Sequence, residues 1–288
     1  MRALLVGSSG QVGQACLTRV PAHVELRACT HADLDITDAA KIKTVVDEFR
    51  PDVLINTAAY TAVDKAESDE PAARACNTDG PRLLAAAIAS RAGARMIHVS
   101  TDFVFDGKGS SPYPPDAPTG PSSVYGATKL AGEQATLAAL ADRAVILRTA
   151  WVYSATGNNF VRTMLRLMAK GDVRVIADQI GTPTSAASLA EVIWAIAAAK
   201  TGGVYHWTDA GVASWYDFAV AIAEEAARAG LLKNPVVVTP IATSDYPTPA
   251  RRPSYSVLDK SSTAKAFGLN QVHWRTRLRT VIEELRRA

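Results

Sequence analysis

An apolar run, Ala3–Val6, breaks directly into Gly7-Ser8-Ser9-Gly10-Gln11-Val12-Gly13. A strand that turns on glycine and reopens as a helix leaves few folds available. Glycine accepts the backbone angles and close approach that such a turn needs, and a helix start presents unpaired N–H groups to an anion. In a βαβ unit this arrangement cradles the pyrophosphate of a dinucleotide. Gly7, Gly10, Gln11, Val12 and Gly13 are therefore candidate cofactor-binding residues.

The pattern downstream agrees with that start. Helical periodicity over Gln11–Arg19 and Asp38–Phe49 alternates with strand-like runs at Val24–Ala28 and Asp52–Asn56. Ala72–Ala92 reads as helix, with Gly80-Pro81 as a break or a fresh start. Arg95–Ser100 and Ala144–Thr149 complete the strand series. Alternation of this kind implies right-handed crossovers and a parallel sheet covered on both faces. The fold expected is α/β, a Rossmann-like doubly wound parallel sheet with a smaller C-terminal substrate-binding lobe. Residues 1–150, with roughly 181–205, form the expected dinucleotide-binding domain; roughly 151–180 and 206–288 form the lobe. Helical patterns at Asn159–Lys170, Ala187–Lys200 and Ser214–Gly230, with short runs at Val173–Ile176 and Val236–Thr239, occupy the second half. The Gly-, Pro- and Ser-rich stretch from Asp106 to Ser123 is too long for a plain connection, and long loops in compact domains are usually functional.

Composition narrows the function classes. Across 288 residues, 48 % are apolar and 20 % charged, and the net charge is +3. That is an ordinary globular profile without a basic patch, so nucleic acid is not an expected partner. The arginines near the end, Arg275, Arg277, Arg279, Arg286 and Arg287, read as the solvated face of a helix. Cys16, Cys29 and Cys76 show no paired spacing, which points to a reducing, cytoplasmic setting. Five scattered histidines offer no metal-ligand spacing. No apolar stretch has the length of a secretion signal or of a membrane span.

The chemistry is carried by Tyr125-Gly126-Ala127-Thr128-Lys129. Positions i and i+4 share a helix face, and an ammonium beside a phenol favours the phenolate and lowers its pKa. Such a pair moves protons during hydride transfer to or from a carbonyl. Ser100-Thr101-Asp102-Phe103 ends the preceding strand, where the Thr101 hydroxyl can hold that carbonyl. Thr101, Tyr125 and Lys129 are the catalytic candidates. Asn56-Thr57-Ala58-Ala59-Tyr60 ends another strand in small residues; either Ala58, Ala59 and Tyr60 let a flat cofactor approach, or they make a tight turn. Asp35, with Ile36, either meets the adenine or caps the next helix. The second strand ends Arg27-Ala28-Cys29-Thr30-His31, without an acid to repel a 2′-phosphate or an arginine to hold one. The balance falls on NADPH, with NADH open.

In this order the motifs resemble the extended short-chain dehydrogenase/reductase superfamily, and the finer ones are similar to the dTDP-4-dehydrorhamnose reductase family. The similar segments include Gly10-Gln11-Val12-Gly13, the run from Asn56 to Glu67, Ser100–Phe105, Val124–Glu133, Arg148–Tyr153 and Gly157-Asn158-Asn159-Phe160. Asp178-Gln179-Ile180-Gly181-Thr182-Pro183-Thr184 and the stretch from Tyr246 to Pro253 lie outside the generic dinucleotide fold. The resemblance implies reduction of a 4-keto dTDP-sugar. Tyr125 would donate a proton to the C4 oxygen, and Lys129 would lower the phenol's pKa and bond the nicotinamide ribose. Thr101, with Asp102 and Phe103, would position the sugar, and Trp151 would wall it, unless that indole is a core residue. Asn158, Asn159 and Gln179 would serve the nucleotide. Arg251 and Arg252 would pair the diphosphate or anchor a loop.

Some members of that family dimerise through a metal held by glutamates. Ala15 and Ala187 stand at two of those places here, so no metal and a monomer are expected. Two rival readings share the motifs. A nucleotide-sugar epimerase or dehydratase keeps its cofactor unchanged over a cycle, whereas a reductase consumes it. A non-catalytic NADP-binding regulatory subunit would bind a partner without turnover.

Overall fold

The computed structural model describes residues 1–287. Among them, six parallel strands form one sheet in the order β10-β5-β4-β3-β1-β2. These are β1 (Arg2–Val6), β2 (Glu25–Cys29), β3 (Val53–Asn56), β4 (Arg95–Thr101), β5 (Ala144–Thr149) and β10 (Gly203–His206). Successive side chains on a strand point to opposite faces. On β1, Leu4 and Val6 enter one core with Leu54 and Met96, while Ala3 and Leu5 enter another with Ile55 and Ile97. Both faces of β1 and β3 are buried, so these central strands read as apolar runs, whereas β2 at the sheet edge is largely not buried.

The first face is covered by α2 (Ala39–Phe49) through Ile42, Val45 and Val46, and by Leu84 and Ile88 of α5 (Gly80–Ala89). Each such buried aliphatic side chain contributes about 1.5–3 kcal/mol. The second face carries α1 (Gln11–Leu17) and α8 (Ala186–Ala199), with Trp194 Nε1 donating to Cys16 O at 3.2 Å.

Of the two alternatives at Gly80-Pro81, the fresh start holds and the break does not, since α5 begins at Gly80 while the helix runs on. After the short α3 (Val63–Ala66), the chain runs through α4 (Glu70–Arg74), a π turn at Ala75–Asp79 and α5 without interruption. The wider i→i+5 turn absorbs the missing proline N–H. It also drives the Asn77 carbonyl toward α6 (Val124–Leu140), where a Cβ on Gly132 would lie 2.1 Å from it.

The lobe is built from small pairings. β6 (Val152–Tyr153) pairs with β9 (Thr184–Ser185), β8 (Ile180–Gly181) with β11 (Ala213–Ser214), and β7 (Val173–Ile176) with β12 (Val238–Ile241). Its core joins α7 (Phe160–Met168), α9 (Trp215–Arg228) and α11 (Trp274–Arg287). Not all of the last segment belongs to it. α10 (Ser261–Phe267) packs Ala264 and Phe267 into the core behind the main sheet. The loop from Asp106 to Ser123 is pinned to that segment, with Tyr113 N donating to Val257 O at 2.9 Å and Asp259 N to Tyr113 O at 2.8 Å.

Candidate active site

The glycine turn sits at the carboxyl end of β1. Gly7 has φ +81°, and a Cβ there would come within 2.6 Å of Ala58 N at the end of β3. A Cβ on Gly13 would lie 2.3 Å from Gly7 O. Gly10 meets no heavy atom closer than 3.4 Å, and α1 starts on it without a side-chain cap. The turn is thus packed tightly behind and open in front, where the first N–H groups of α1 face a cavity of about 630 Å³. That volume is within the range of cofactor sites.

Nearly all the expected cofactor residues line this cavity. Gly7, Gly10, Gln11 and Val12 come from the turn, and Asp35 and Ile36 from the loop after β2. Ala58, Ala59 and Tyr60 follow β3, and Tyr125 and Lys129 descend from α6. Gly13 is the exception, packed behind the turn. Asp35 is not a helix cap: Asp38 caps α2 by accepting from Lys41 N at 2.9 Å. Asp35 instead accepts from Thr37 N and Oγ1 at 2.9 and 2.8 Å, bonds that hold its carboxyl below the usual range. Asp33 is folded back onto Thr30 N and Oγ1.

The catalytic candidates meet between β4 and α6. Ser123 caps α6 by accepting from Gly126 N at 3.1 Å, which fixes the turn that carries Tyr125. The Tyr125 ring stands edge-on to Phe103, 5.4 Å between centroids. Thr101 Oγ1 donates to Asp102 Oδ1 at 3.0 Å, while Asp102 Oδ2 is buried without a partner. Burial pushes the Asp102 carboxyl up to about 6.

The expected lowering of the Tyr125 pKa is reversed. Burial pushes the phenol up to about 12; the Thr101 hydroxyl offsets part of this and the Asp102 carboxylate adds to it. Lys129 does not act as the depressing charge. It is buried, donates to Val99 O at 2.7 Å, and is itself pulled down to about 8 by desolvation. Spacing i,i+4 brings the two side chains onto one face, but removing both from water costs more than their attraction returns.

A buried ion pair braces this helix. Arg148 on β5 and Glu133 on α6 meet at 2.7 Å, with side chains 6 % and 2 % exposed. Arg148 also donates to Pro115 O and lies over the Phe105 ring, tying the long loop to the site.

A second cavity, of about 490 Å³, opens on the lobe side. Phe103, Trp151 and Gln179 line it, whereas Thr101, Asp102 and Tyr125 do not. Trp151 has φ +48°, rare for a bulky residue. Its indole stacks on Trp215 at 3.5 Å between centroids and covers Gly181, where a Cβ would lie 2.6 Å from the ring. Phe160, Trp215, Arg174 and Tyr246 also line the cavity; none carries a site role in the sequence reading, Phe160 and Trp215 because aromatics at helical spacing on α7 and α9 read as core. Arg252 lines it while paired with Asp64 at 2.7 Å; Arg251 is exposed and not at the wall.

Asn158 and Asn159 are not brought to this cavity. Asn159 Oδ1 caps α7 by accepting from Arg162 N, and its Nδ2 donates to Gln11 Oε1 at 2.9 Å. Asn158 offers its backbone carbonyl to Gln11 Nε2 at 3.4 Å. Both link the glycine turn to the lobe. Among the described residues no group of three or more His, Cys, Asp and Glu side chains is placed to hold a metal, and no helix is long and apolar enough to cross a membrane.

Residues 1–287 match the family described as RmlD substrate binding domain. The chain is 41 % identical to a dTDP-4-dehydrorhamnose reductase of Aggregatibacter actinomycetemcomitans, over 97 % of this chain and 98 % of that one. It superposes on a dTDP-4-dehydrorhamnose reductase of Clostridium acetobutylicum with a TM-score of 0.92 at 39 % identity, covering 99 % of both chains. With the Bacillus anthracis dTDP-4-dehydrorhamnose reductase in complex with NADP the TM-score is 0.91 at 34 % identity, covering 98 % and 99 %.

Proposed function

The chain belongs to the RmlD substrate binding domain family, and from that premise we propose that it is an NAD(P)H-dependent oxidoreductase reducing the C4 keto group of dTDP-4-dehydro-L-rhamnose to dTDP-L-rhamnose. The observation that carries this reading is the placement of Tyr125 and Lys129 on the wall of the first cavity, with Phe103 of the second cavity standing edge-on to the Tyr125 ring. The first is built for a dinucleotide, and the second is aromatic with arginines at its wall.

The residues fit the cofactor: Gly7 and Gly13 leave no room for a Cβ, while Gly10 leaves its front open. When bound, NADPH, or NADH, supplies the hydride. A phenol raised to about 12 is fully protonated near neutral pH, the state a proton donor to the C4 oxygen needs. The Thr101 hydroxyl, a rotor now turned to Asp102, donates to the same oxygen. Asp102 and Phe103 complete the sugar's surroundings, with Trp151 as its apolar wall. Lys129 holds the nicotinamide ribose. Gln179 and Arg252 serve the nucleotide half, the guanidinium matching diphosphate oxygens. Asp35 and Ile36 serve the adenine end. With Asp33 folded back on Thr30, NADPH is the favoured cofactor.

Residues 1–150 with roughly 181–205 form the cofactor unit in this reading, and roughly 151–180 with 206–288 the substrate lobe, except that α10 packs with the cofactor unit. A cytoplasmic location is the reading that three free cysteines support. Alanine at positions 15 and 187 supports a monomer without a bridging metal. The test is loss of reduced-nicotinamide absorbance with dTDP-4-dehydro-6-deoxy-L-mannose, NADPH and NADH in parallel. Sugar-dependent oxidation is expected, faster with NADPH; no oxidation by folded, cofactor-bound protein would overturn the reading.

A further inference from the structure

Lys129 has a neighbour for which the reduction gives no role. The His98 imidazole on β4 is fully buried, and its Nε2 lies 3.4 Å from Lys129 Nζ. The other ring nitrogen, Nδ1, lies 3.0 Å from Asn56 Nδ2. The Asn56 amide has a fixed sense, because its Oδ1 accepts from Ala58 N at 3.1 Å. Its Nδ2 can only donate, so Nδ1 must accept. The single proton of the neutral ring then sits on Nε2 and is directed at the amine.

We propose that His98 is a positioning residue for Lys129: locked by Asn56 as the Nε2–H tautomer, it denies the lysine an acceptor and holds it at the edge between ammonium and amine. Ala58, which sets the lock, also lines the cofactor cavity. Glu133 and Cys76 pull the Lys129 pKa back up, but neither accepts a hydrogen bond from Nζ. Val99 O takes one of the three N–H donors. Tyr125 and Glu133 lie one turn before and after on α6, and Glu133 is already engaged by Arg148 of β5. Cys76 approaches from the π turn with its thiol pushed up by burial. The directions agree: burial and the Lys129 charge hold His98 neutral, and burial brings Lys129 down to about 8.

The kinetic arm of the test rests on the proposed reductase site; the spectroscopic arm does not. In protein labelled with ¹⁵N-histidine, long-range ¹⁵N–¹H spectra between about pH 6 and 9 should show His98 protonated on Nε2 alone. A ring protonated on Nδ1, or an imidazolium, would overturn the proposal whether or not the protein turns over any sugar. In His98→Gln the amide oxygen can accept from Nζ. The alkaline fall in kcat should then move up by about one pH unit, a tenfold gain in proton affinity, with KM for NADPH unchanged. An alkaline limb that stays in place in folded His98→Gln would equally sink the idea. Wild-type protein inert toward the sugar would count against the reductase reading and leave the tautomer to decide this one.

Discussion

Asp102 is costly to keep buried, and Asp102→Asn should make the protein more stable at alkaline pH. The carboxyl is 2 % exposed, with one oxygen held by Thr101 and the other without a partner. Burial raises it from its ordinary value of 3.8 to about 6. A raised acid disfavours the folded state only where the unfolded chain has already lost the proton. The penalty is therefore absent below pH 3.8, grows as pH rises, and is complete above about 6. A rise of about two pH units at 1.36 kcal/mol each is about 3 kcal/mol. The asparagine removes the charge but keeps a buried polar group, a residual cost of about 1 kcal/mol. The expected gain is thus about 2 kcal/mol at pH 8, shrinking to nothing near pH 4. Urea unfolding of both proteins across that range measures it, with equal m-values as the control. Destabilisation at pH 8, or a gain that does not change with pH, would refute the electrostatic account of this site.

Other substitutions probe the remaining parts. Tyr125→Phe should lower sugar reduction by about 10²–10⁴-fold, the usual worth of a general acid, while NADPH titrations stay unchanged; undiminished turnover would remove Tyr125 from the mechanism. Gly13→Ala forces a Cβ to 2.3 Å from Gly7 O; the turn must shift, at about 1–3 kcal/mol of stability, and NADPH binding followed by fluorescence should weaken at least about tenfold if the turn meets the pyrophosphate. Glu133→Gln leaves the Arg148 charge buried without its partner and should cost about 3–5 kcal/mol in urea unfolding; the double variant with Arg148→Met should recover most of that loss.

What could be read in the sequence was what local chemistry decides. β1, β3, β4 and β5 are buried on both faces, so each appears as a plain apolar run, and glycine spacing marks the cofactor turn within seven residues. The lobe carries no such signal. β6, β8, β9 and β11 have two residues each, and their partners come from distant parts of the chain. Arg174 reaches the second cavity on β7, whose partner β12 likewise comes from far along the chain. Asn159 was assigned to substrate on resemblance, but its side chain follows the ordinary preference of asparagine for a helix N-cap. At Gly80-Pro81 the sequence leaves a break or a fresh start open, and the π turn decides it, since α5 starts there without the helix stopping.

The reversed shift at Tyr125 shows why motif spacing could not supply the site's electrostatics. Two positions four apart on a helix predict contact between a phenol and an ammonium, and contact alone favours the charged forms. Around this pair, however, Asp102, His98, Thr101 and Lys129 are all removed from water. Desolvation then acts on each group separately and raises acids while lowering bases. The result is a protonated phenol, a lysine that titrates near 8 and a carboxyl that titrates near 6, all within one β4–α6 junction. Such a site is unstable by itself and is held by parts that do no chemistry. The Glu133–Arg148 pair joins α6 to β5, and the Gln11–Asn159 and Asp64–Arg252 links tie the cofactor side to the lobe. If those links hold the buried charges away from water, cutting one lets solvent reach Asp102 and lowers its pKa, so the loss of stability should be smaller at pH 8 than at pH 4.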